Sequence, residues 1–318
     1  MTASDYDNVL LYPIGVSNVA HRGDVDLSCD FLDGLYPIIS SPMKGISGPD
    51  LVIEMGKLNC LGILHRFNSF EQRIKNIDKI SKANVQFGVA IGVNDFEAEM
   101  MVANYAFFNG ASHILVDLAN GYLPQLEYVG KRLQDTFKGL IKLGAGNVVS
   151  WPGASRLKGF GFDWVRCGIG SGGNCTTRTA TGVGRNQLNA LQDCRRVDTF
   201  LVSDGGIDEP GKAVKSFYFG ADAVMLGGVL GHSLEAENDG EIWGMASRKN
   251  HILNNKEIKS IEGRETKIDN DSKRPLKEII DEFLWGIKSG CTYANCNHYS
   301  EIPYNFTWEY NETRDLLE

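Results

Sequence analysis

Short, continuous apolar runs recur about every 25 residues, each followed by glycine or polar punctuation and then by a stretch with helical spacing of apolar residues. They lie at 37–40, 61–65, 86–91, 113–117, 140–143, 164–167, 200–203 and 223–226. Because these runs are continuous and not alternating, both faces of the sheet they form are covered, as in a parallel sheet. Eight βα units with short connections predict an α/β fold closed into a TIM-type (β/α)8 barrel, in preference to an open doubly wound sheet. The length of 318 residues suits one such barrel, which commonly takes about 250 residues or more.

Amphipathic spacing predicts helices at 49–57, 70–80, 95–108, 123–137, 186–193 and 210–218. Two stretches break the rhythm. The segment 248–273, rich in Asn, Lys, Glu and Asp, reads as a short mobile flap between the eighth strand and its helix at 275–288; the chain after Cys291 reads as a polar, aromatic tail. With no repeat and no linker, residues 1–318 are expected to form a single domain.

The formal charge of −8 gives no general attraction to nucleic acid or to an acidic membrane, so an anionic ligand has to be captured locally. No run approaches the roughly 20 apolar residues of a membrane helix. The N-terminal MTASDYDNVLLYP has no basic region ahead of an apolar segment, so no secretory signal is expected. Seven scattered cysteines without paired CxxC spacing predict reduced thiols and a cytoplasmic protein, with no zinc site.

In a barrel, functional groups collect at the C-terminal ends of the strands. Glycines cluster there in 144–147, 168–173, 203–206 and 226–228. A single such glycine can serve only a tight turn, but four loops together provide backbone N–H groups able to cradle a phosphate. An anionic ligand is therefore expected at Gly205, Gly206, Gly227 and Gly228. Cys175 follows a glycine run and precedes Thr176, Thr177 and Arg178, a setting that exposes a thiol beside a cation and suits nucleophilic attack, although a plain loop residue would read the same way. Asp204, directly before two glycines, is placed to accept hydrogen bonds from sugar hydroxyls or to act as a turn carboxylate. Glu262 alone reads as an ordinary solvated carboxylate, and His65 and His113 read as strand residues without metal-ligand spacing.

Taken together, the segments DNVLLYP (7–13), SSPM (40–43), GILHR (62–66), VDLANGY (116–122), GAGNVVS (144–150), GIGSGGNCTTR (168–178), TGVGRNQL (181–188), VSDGG (202–206), GADAVMLGG (220–228), WGMAS (243–247), IEGR (261–264) and CTY (291–293) resemble the IMP dehydrogenase and GMP reductase family, in order and nearly end to end. VDLANGY, CTTR followed by TGVG, and CTY resemble GMP reductase more than IMP dehydrogenase. The flap is short and lacks the Arg-Tyr pair with which the dehydrogenase activates water, while IEGR is the dehydrogenase-like exception.

The resemblance implies NADPH-dependent reductive deamination of GMP to IMP and ammonia through a thioimidate on Cys175, with Thr177 and Glu262 as a proton relay. It implies Asp204 at the ribose, Gly205, Gly206, Gly227, Gly228 and Gly173 at the phosphate, and Gly244, Met245, Ala246, Lys259 and Gly263 about the rest of the substrate. A potassium ion is implied at Gly170, Gly172, Cys175 and Arg178. The cofactor is implied at Arg66, Asp117, Leu118, Ala119, Ile169 and Gly170, with Arg22, Cys291, Thr292 and Tyr293 reaching a neighbouring subunit of a homotetramer. A related reductase or IMP dehydrogenase acting on another, deoxy or modified purine nucleotide, and a non-catalytic purine-nucleotide-binding protein, are the alternative readings.

Five positions depart from the family pattern. The loop reads Ser171-Gly172-Gly173-Asn174-Cys175 where the family has Pro-Gly-Ser-(Val or Ile)-Cys, which removes a hydroxyl that normally touches the phosphate. Ala246 stands in place of a serine, and Lys259 in place of an arginine.

Overall fold

The computed structural model describes residues 5–137, 139–253 and 261–311. Strand β1 (Val9–Pro13) precedes eight parallel strands: β2 (Ile38–Ser40), β3 (Gly62–Leu64), β4 (Phe87–Ile91), β5 (His113–Asp117), β6 (Lys142–Val148), β7 (Trp164–Cys167), β8 (Phe200–Asp204) and β9 (Ala223–Leu226). They are ordered β2-β9-β8-β7-β6-β5-β4-β3. A parallel bridge between Ile39 and Leu61, with Ser40 N donating to Leu61 O at 2.9 Å, joins the two ends of that order. The barrel is therefore closed, as the continuous apolar runs predict.

Helices α1 (Pro49–Lys57), α2 (Phe70–Ser81), α3 (Phe96–Phe108), α4 (Gln125–Phe137), α5 (Trp151–Gly159), α6 (Thr177–Thr181), α7 (Gln187–Cys194) and α8 (Pro210–Tyr218) alternate with the strands. Their apolar stripes face the sheet: Leu51, Val52 and Met55 of α1 are fully buried. Ser69 and Asp95 cap α2 and α3 by accepting from Gln72 N and Ala98 N.

The departures from the expected elements have local causes. β6 begins at Lys142 and runs through Gly144 and Gly146, which the sequence reads as loop punctuation. Gly144 lies beneath the Trp164 indole of β7, where an added Cβ would come within 2.0 Å of the ring, so the barrel requires glycine inside this strand. Helix α5 is unpredicted.

After β9 comes β10 (Glu241–Trp243), and the segment expected to be a flap contains α9 (Arg248–Leu253) and β11 (Glu265–Lys267), which pairs antiparallel with β10. Helix α10 (Leu276–Tyr293) outlasts its predicted end, so residues 291–293 are helical. The expected tail folds as well. A short α11 (Ile302–Asn305) leads into β12 (Phe306–Tyr310), which pairs with β1 from Val9↔Tyr310 to Pro13↔Phe306.

Two faces of one barrel layer meet at His113, which is fully buried between the rings of Phe31 and Trp164. Its Nδ1 shares a 2.9 Å hydrogen bond with Ser112 Oγ. Burial, reinforced by the Lys142 charge, pulls its pKa down from 6.5 to about 3. The unfolded chain therefore takes up a proton that the native state refuses, and the stability this site contributes is lost as pH falls from about 6.5 towards 3. Urea midpoints at pH 7 and pH 4.5 check this: the drop on acidification should be smaller for His113→Gln than for the parent chain. Equal drops would contradict it.

Candidate active site

The loop after β7 carries Cys175 and is built on glycine. Gly168, at φ +149°, lets the loop leave the strand against β8, since a Cβ there would lie 1.9 Å from Asp204 O. Ser171 Oγ donates to Asp204 O at 3.1 Å, and Cys175 N closes a turn onto Gly172 O at 2.9 Å. The Cys175 side chain is half-buried, and its Sγ donates to Thr177 Oγ1 at 3.1 Å. Gln187, fully buried beneath the loop, donates through Nε2 to Cys167 O at 2.7 Å and to Ser203 Oγ at 3.1 Å. The bases of the β7 and β8 loops are thereby tied together.

Glu262 is brought to this loop by backbone pairing across a long stretch of chain. Cys175 faces Gly263 in an antiparallel bridge, with Thr176 N donating to Glu262 O at 2.9 Å and Arg264 N to Asn174 O at 3.0 Å. On its other side the same segment pairs with 244–247: Glu262 N donates to Ala246 O at 3.0 Å, and Gly244 N to Arg264 O at 3.1 Å. Gly244, Met245, Ala246 and Gly263 thus adjoin the cysteine loop, and Lys44 N donates to Met245 Sδ at 3.3 Å. Lys259 lies outside the described residues.

Asp204 ends β8 inside an ionic network the sequence reading missed. Arg166, on β7 and only 6% exposed, donates from one guanidinium nitrogen to Asp204 Oδ2 at 2.7 Å and from the other to Asp117 Oδ1 at 2.6 Å. Asn147 Nδ2 donates to the same Asp204 oxygen at 2.6 Å and to Gly168 O at 2.7 Å. Arg66 Nε reaches Asp117 Oδ2 at 3.3 Å. Burial by itself would lower the Arg166 pKa, but the two carboxylates override it and hold the guanidinium firmly protonated. A charged residue in the middle of the run WVRC was the available signal, because an arginine there needs buried partners.

Leu118 is paired to the end of β6, donating to Gly146 O at 3.0 Å and accepting from Asn147 N at 2.7 Å. Asp117, Leu118, Ala119, Ile169 and Gly170 therefore lie on one rim, on the loops that follow β5 and β7. Gly205 and Gly206 follow β8, and Gly227 and Gly228 follow β9, on the same rim. Arg178 packs its side chain over Gly170, and no backbone N–H donates to the carbonyls of Gly170 or Cys175 among the described residues. The carbonyl of Gly172, by contrast, accepts from Cys175 N at 2.9 Å.

Arg22, Cys291, Thr292 and Tyr293, which the resemblance assigns to a neighbouring subunit, lie away from Cys175 within one chain. Cys291 is fully buried in α10, and burial pushes its thiol up to about 12. Thr292 Oγ1 is turned to Ser289 O at 2.7 Å. Just beyond, Asn295 accepts from Asn18 N, and Tyr299 donates to Asp222 O ahead of β9. This places Cys291, Thr292 and Tyr293, with the nearby exposed Arg22, at the strands' N-terminal end of the barrel, opposite Cys175. Tyr293 is 67% exposed there.

An eight-stranded parallel barrel with a cysteine loop, an Asp-Gly-Gly turn and a Gly-Gly turn on one rim defines a (β/α)8 protein with a cysteine centre. Residues 3–310 match the family model described as IMP dehydrogenase / GMP reductase domain, and the chain belongs to that family. Relatives named GMP reductase include that of Buchnera aphidicola subsp. Acyrthosiphon pisum (strain Tuc7), 32% identical over 92% of this chain and 87% of the relative. That of Escherichia coli O81 (strain ED1a) is 30% identical over 95% and 93%, and that of Onchocerca volvulus 28% over 96% and 90%.

Proposed function

We propose that this chain, as a single barrel domain over residues 1–318, catalyses NADPH-dependent reductive deamination of GMP to IMP and ammonia in the cytoplasm. The observation that carries this reading is the thiol of Cys175 hydrogen-bonded to Thr177 at 3.1 Å, in a loop whose backbone is paired to Glu262. The family membership and the relatives named GMP reductase support the same reaction.

Cys175 attacks C2 of the guanine; the S–C2 bond forms and the C2–N2 bond breaks, with the amine leaving as ammonia. An amine leaves only once protonated, and Thr177 with Glu262 conducts that proton. NADPH, when bound, supplies the hydride to C2. The S–C2 bond then breaks, which releases IMP and leaves Cys175 as the thiolate.

Asp204 takes the ribose hydroxyls through the oxygen that Arg166 and Asn147 leave free, since both of those donate to Oδ2. Gly205, Gly206, Gly227, Gly228 and Gly173 cradle the phosphate, and Gly244, Met245, Ala246, Gly263 and Lys259 adjoin the remainder of the nucleotide. Arg66, Asp117, Leu118, Ala119, Ile169 and Gly170 hold the cofactor. Arg22, Cys291, Thr292 and Tyr293 are assigned to the cofactor of a neighbouring copy in a homotetramer, with the exposed Tyr293 as the contacting side chain. Gly170, Gly172, Cys175 and Arg178 would hold a potassium ion, whose charge would order the cysteine loop.

Absorbance of the reduced nicotinamide tests the substrate. With NADPH and potassium, GMP should remove the band; dGMP alone doing so would reassign the substrate to a deoxynucleotide. Band growth only with IMP and oxidised cofactor would make the chain a dehydrogenase. Glu262→Gln should lower kcat by about 10²- to 10⁴-fold while GMP affinity changes little. Equal losses in kcat and affinity would remove Glu262 from the proton relay.

A further inference from the structure

The nucleophile loop and the β10–β11 hairpin are joined by side chains as well as by backbone. Thr266 Oγ1, on β11, donates to Asn174 Oδ1 at 2.8 Å. Asn174 is the residue immediately before Cys175, and Thr266 lies on the segment that begins with Glu262. The bond therefore spans the two pieces of chain that carry the thiol and the carboxylate. Both side chains are half-buried, which favours a persistent geometry over a solvated one.

The approach to Cys175 makes such a link consequential. Gly172 and Gly173 precede Asn174, and a Gly-Gly pair leaves the backbone many conformations. Nothing lies within 4 Å of a Cβ placed at Gly173, so that side of the residue faces open space. Ser171 is already committed to Asp204 O. On the N-terminal side the thiol's backbone is restrained by the turn bond from Cys175 N to Gly172 O, and Asn174 adds two bonds to the hairpin: its backbone carbonyl takes Arg264 N at 3.0 Å and its side chain takes Thr266. The backbone bonds alone allow the paired segments to twist about one another. A side-chain bond one residue from the sulfur opposes that twist.

We propose that Asn174 and Thr266 are positioning residues that latch the cysteine loop to the hairpin, so that Cys175 and Glu262 are held at a fixed separation. The role in turnover rests on the reaction proposed above, whereas the placement of the thiol is measurable without it. Asn174 is thereby assigned to loop geometry through its side-chain oxygen, which accepts from Thr266.

The test compares Thr266→Val, which keeps the shape and removes the hydroxyl, with Thr266→Ser, which keeps the hydroxyl, and with Asn174→Ala. Two readouts are taken: kcat and KM for GMP, and the rate at which iodoacetamide alkylates Cys175, followed by peptide mass. Thr266→Val and Asn174→Ala should each lower kcat about tenfold with KM within about twofold, and change the alkylation rate about threefold or more. Thr266→Ser should bring both readouts back to within about twofold of the parent, and the double variant Asn174→Ala/Thr266→Val should be no worse than either single one.

Parent-like kcat and alkylation in Thr266→Val would overturn the latch, as would Thr266→Ser failing as badly as Thr266→Val. Asn174→Asp, which retains an acceptor, serves as the second comparison if Thr266→Val does not fold. A parent protein inactive on GMP, with alkylation still sensitive to Thr266→Val, would remove the proposed reaction and leave the latch standing. Normal GMP turnover and unchanged alkylation in every variant would do the reverse.

Discussion

Cys175→Ala should reduce GMP-dependent NADPH oxidation by about 10⁴-fold or more, because the variant has no group able to form the S–C2 bond on which both half-reactions depend. The fold should be untouched. Cys175 is half-buried, its loop is held by the backbone atoms of Asn174, Cys175 and Thr176, and those bonds survive the substitution. Nucleotide affinity, measured by titration calorimetry, should therefore stay within about threefold of the parent, since phosphate and ribose are held by other groups. A variant that binds GMP and still oxidises NADPH at a comparable rate would end the covalent account.

Arg166→Met should destabilise the barrel by about 3–5 kcal/mol in urea unfolding at neutral pH, the usual consequence of removing one partner from a buried ion network. Asp117 at the end of β5 and Asp204 at the end of β8, each with side chains 14% exposed, would lose the counter-charge that they share. Arg166→Lys should recover only part of the loss, because a point charge cannot reach both carboxylates as the planar guanidinium does. The same substitution frees Asp204 to turn, so the KM for GMP should rise alongside the loss of stability. A change in stability under about 1 kcal/mol would show that the network contributes little.

Local pattern was sufficient for most of the barrel. The runs at 164–167 and 223–226 and the helices at 49–57 and 210–218 coincide with β7, β9, α1 and α8, since strand and helix there carry continuous apolar or amphipathic patterns bounded by polar residues. It failed where long-range packing overrides local preference. Gly144 and Gly146 look like loop residues until Trp164 and Arg166 from the next strand are stacked over them. Trp151-Pro152-Gly153 looks like a turn, yet proline suits the first turn of a helix, and α5 starts there.

The C-terminal strand β12 alternates apolar and polar residues over Phe306–Tyr310, a period-2 signal passed over inside a tail read as irregular, and its partner β1 lies at the far end of the chain.

The site divides in the same way. Cys175, Asp204 and the glycine turns announce themselves by position at strand ends, and the cysteine loop was readable as a unit. Glu262 had little standing on its own, because only the bridge between Cys175 and Gly263 brings its segment to the thiol, and pairing over that distance leaves no mark in spacing. Arg166 was visible as a charge in an apolar strand, but its two partners, on β5 and β8, were not. The cofactor residues assigned to 291–293 came from resemblance alone; a helix running to Tyr293 carries them to the other end of the barrel, where only a second copy could present them to the cofactor.

The central claim is that hydride delivery and loss of the 2-amino group are one reaction. The most direct test is to measure ammonia released and NADPH consumed in the same mixture of protein, GMP and potassium. The account predicts one ammonia for each NADPH, with neither appearing for Cys175→Ala. NADPH consumed without ammonia, or ammonia released in proportion to protein with no hydride transferred on further addition of NADPH, would contradict it.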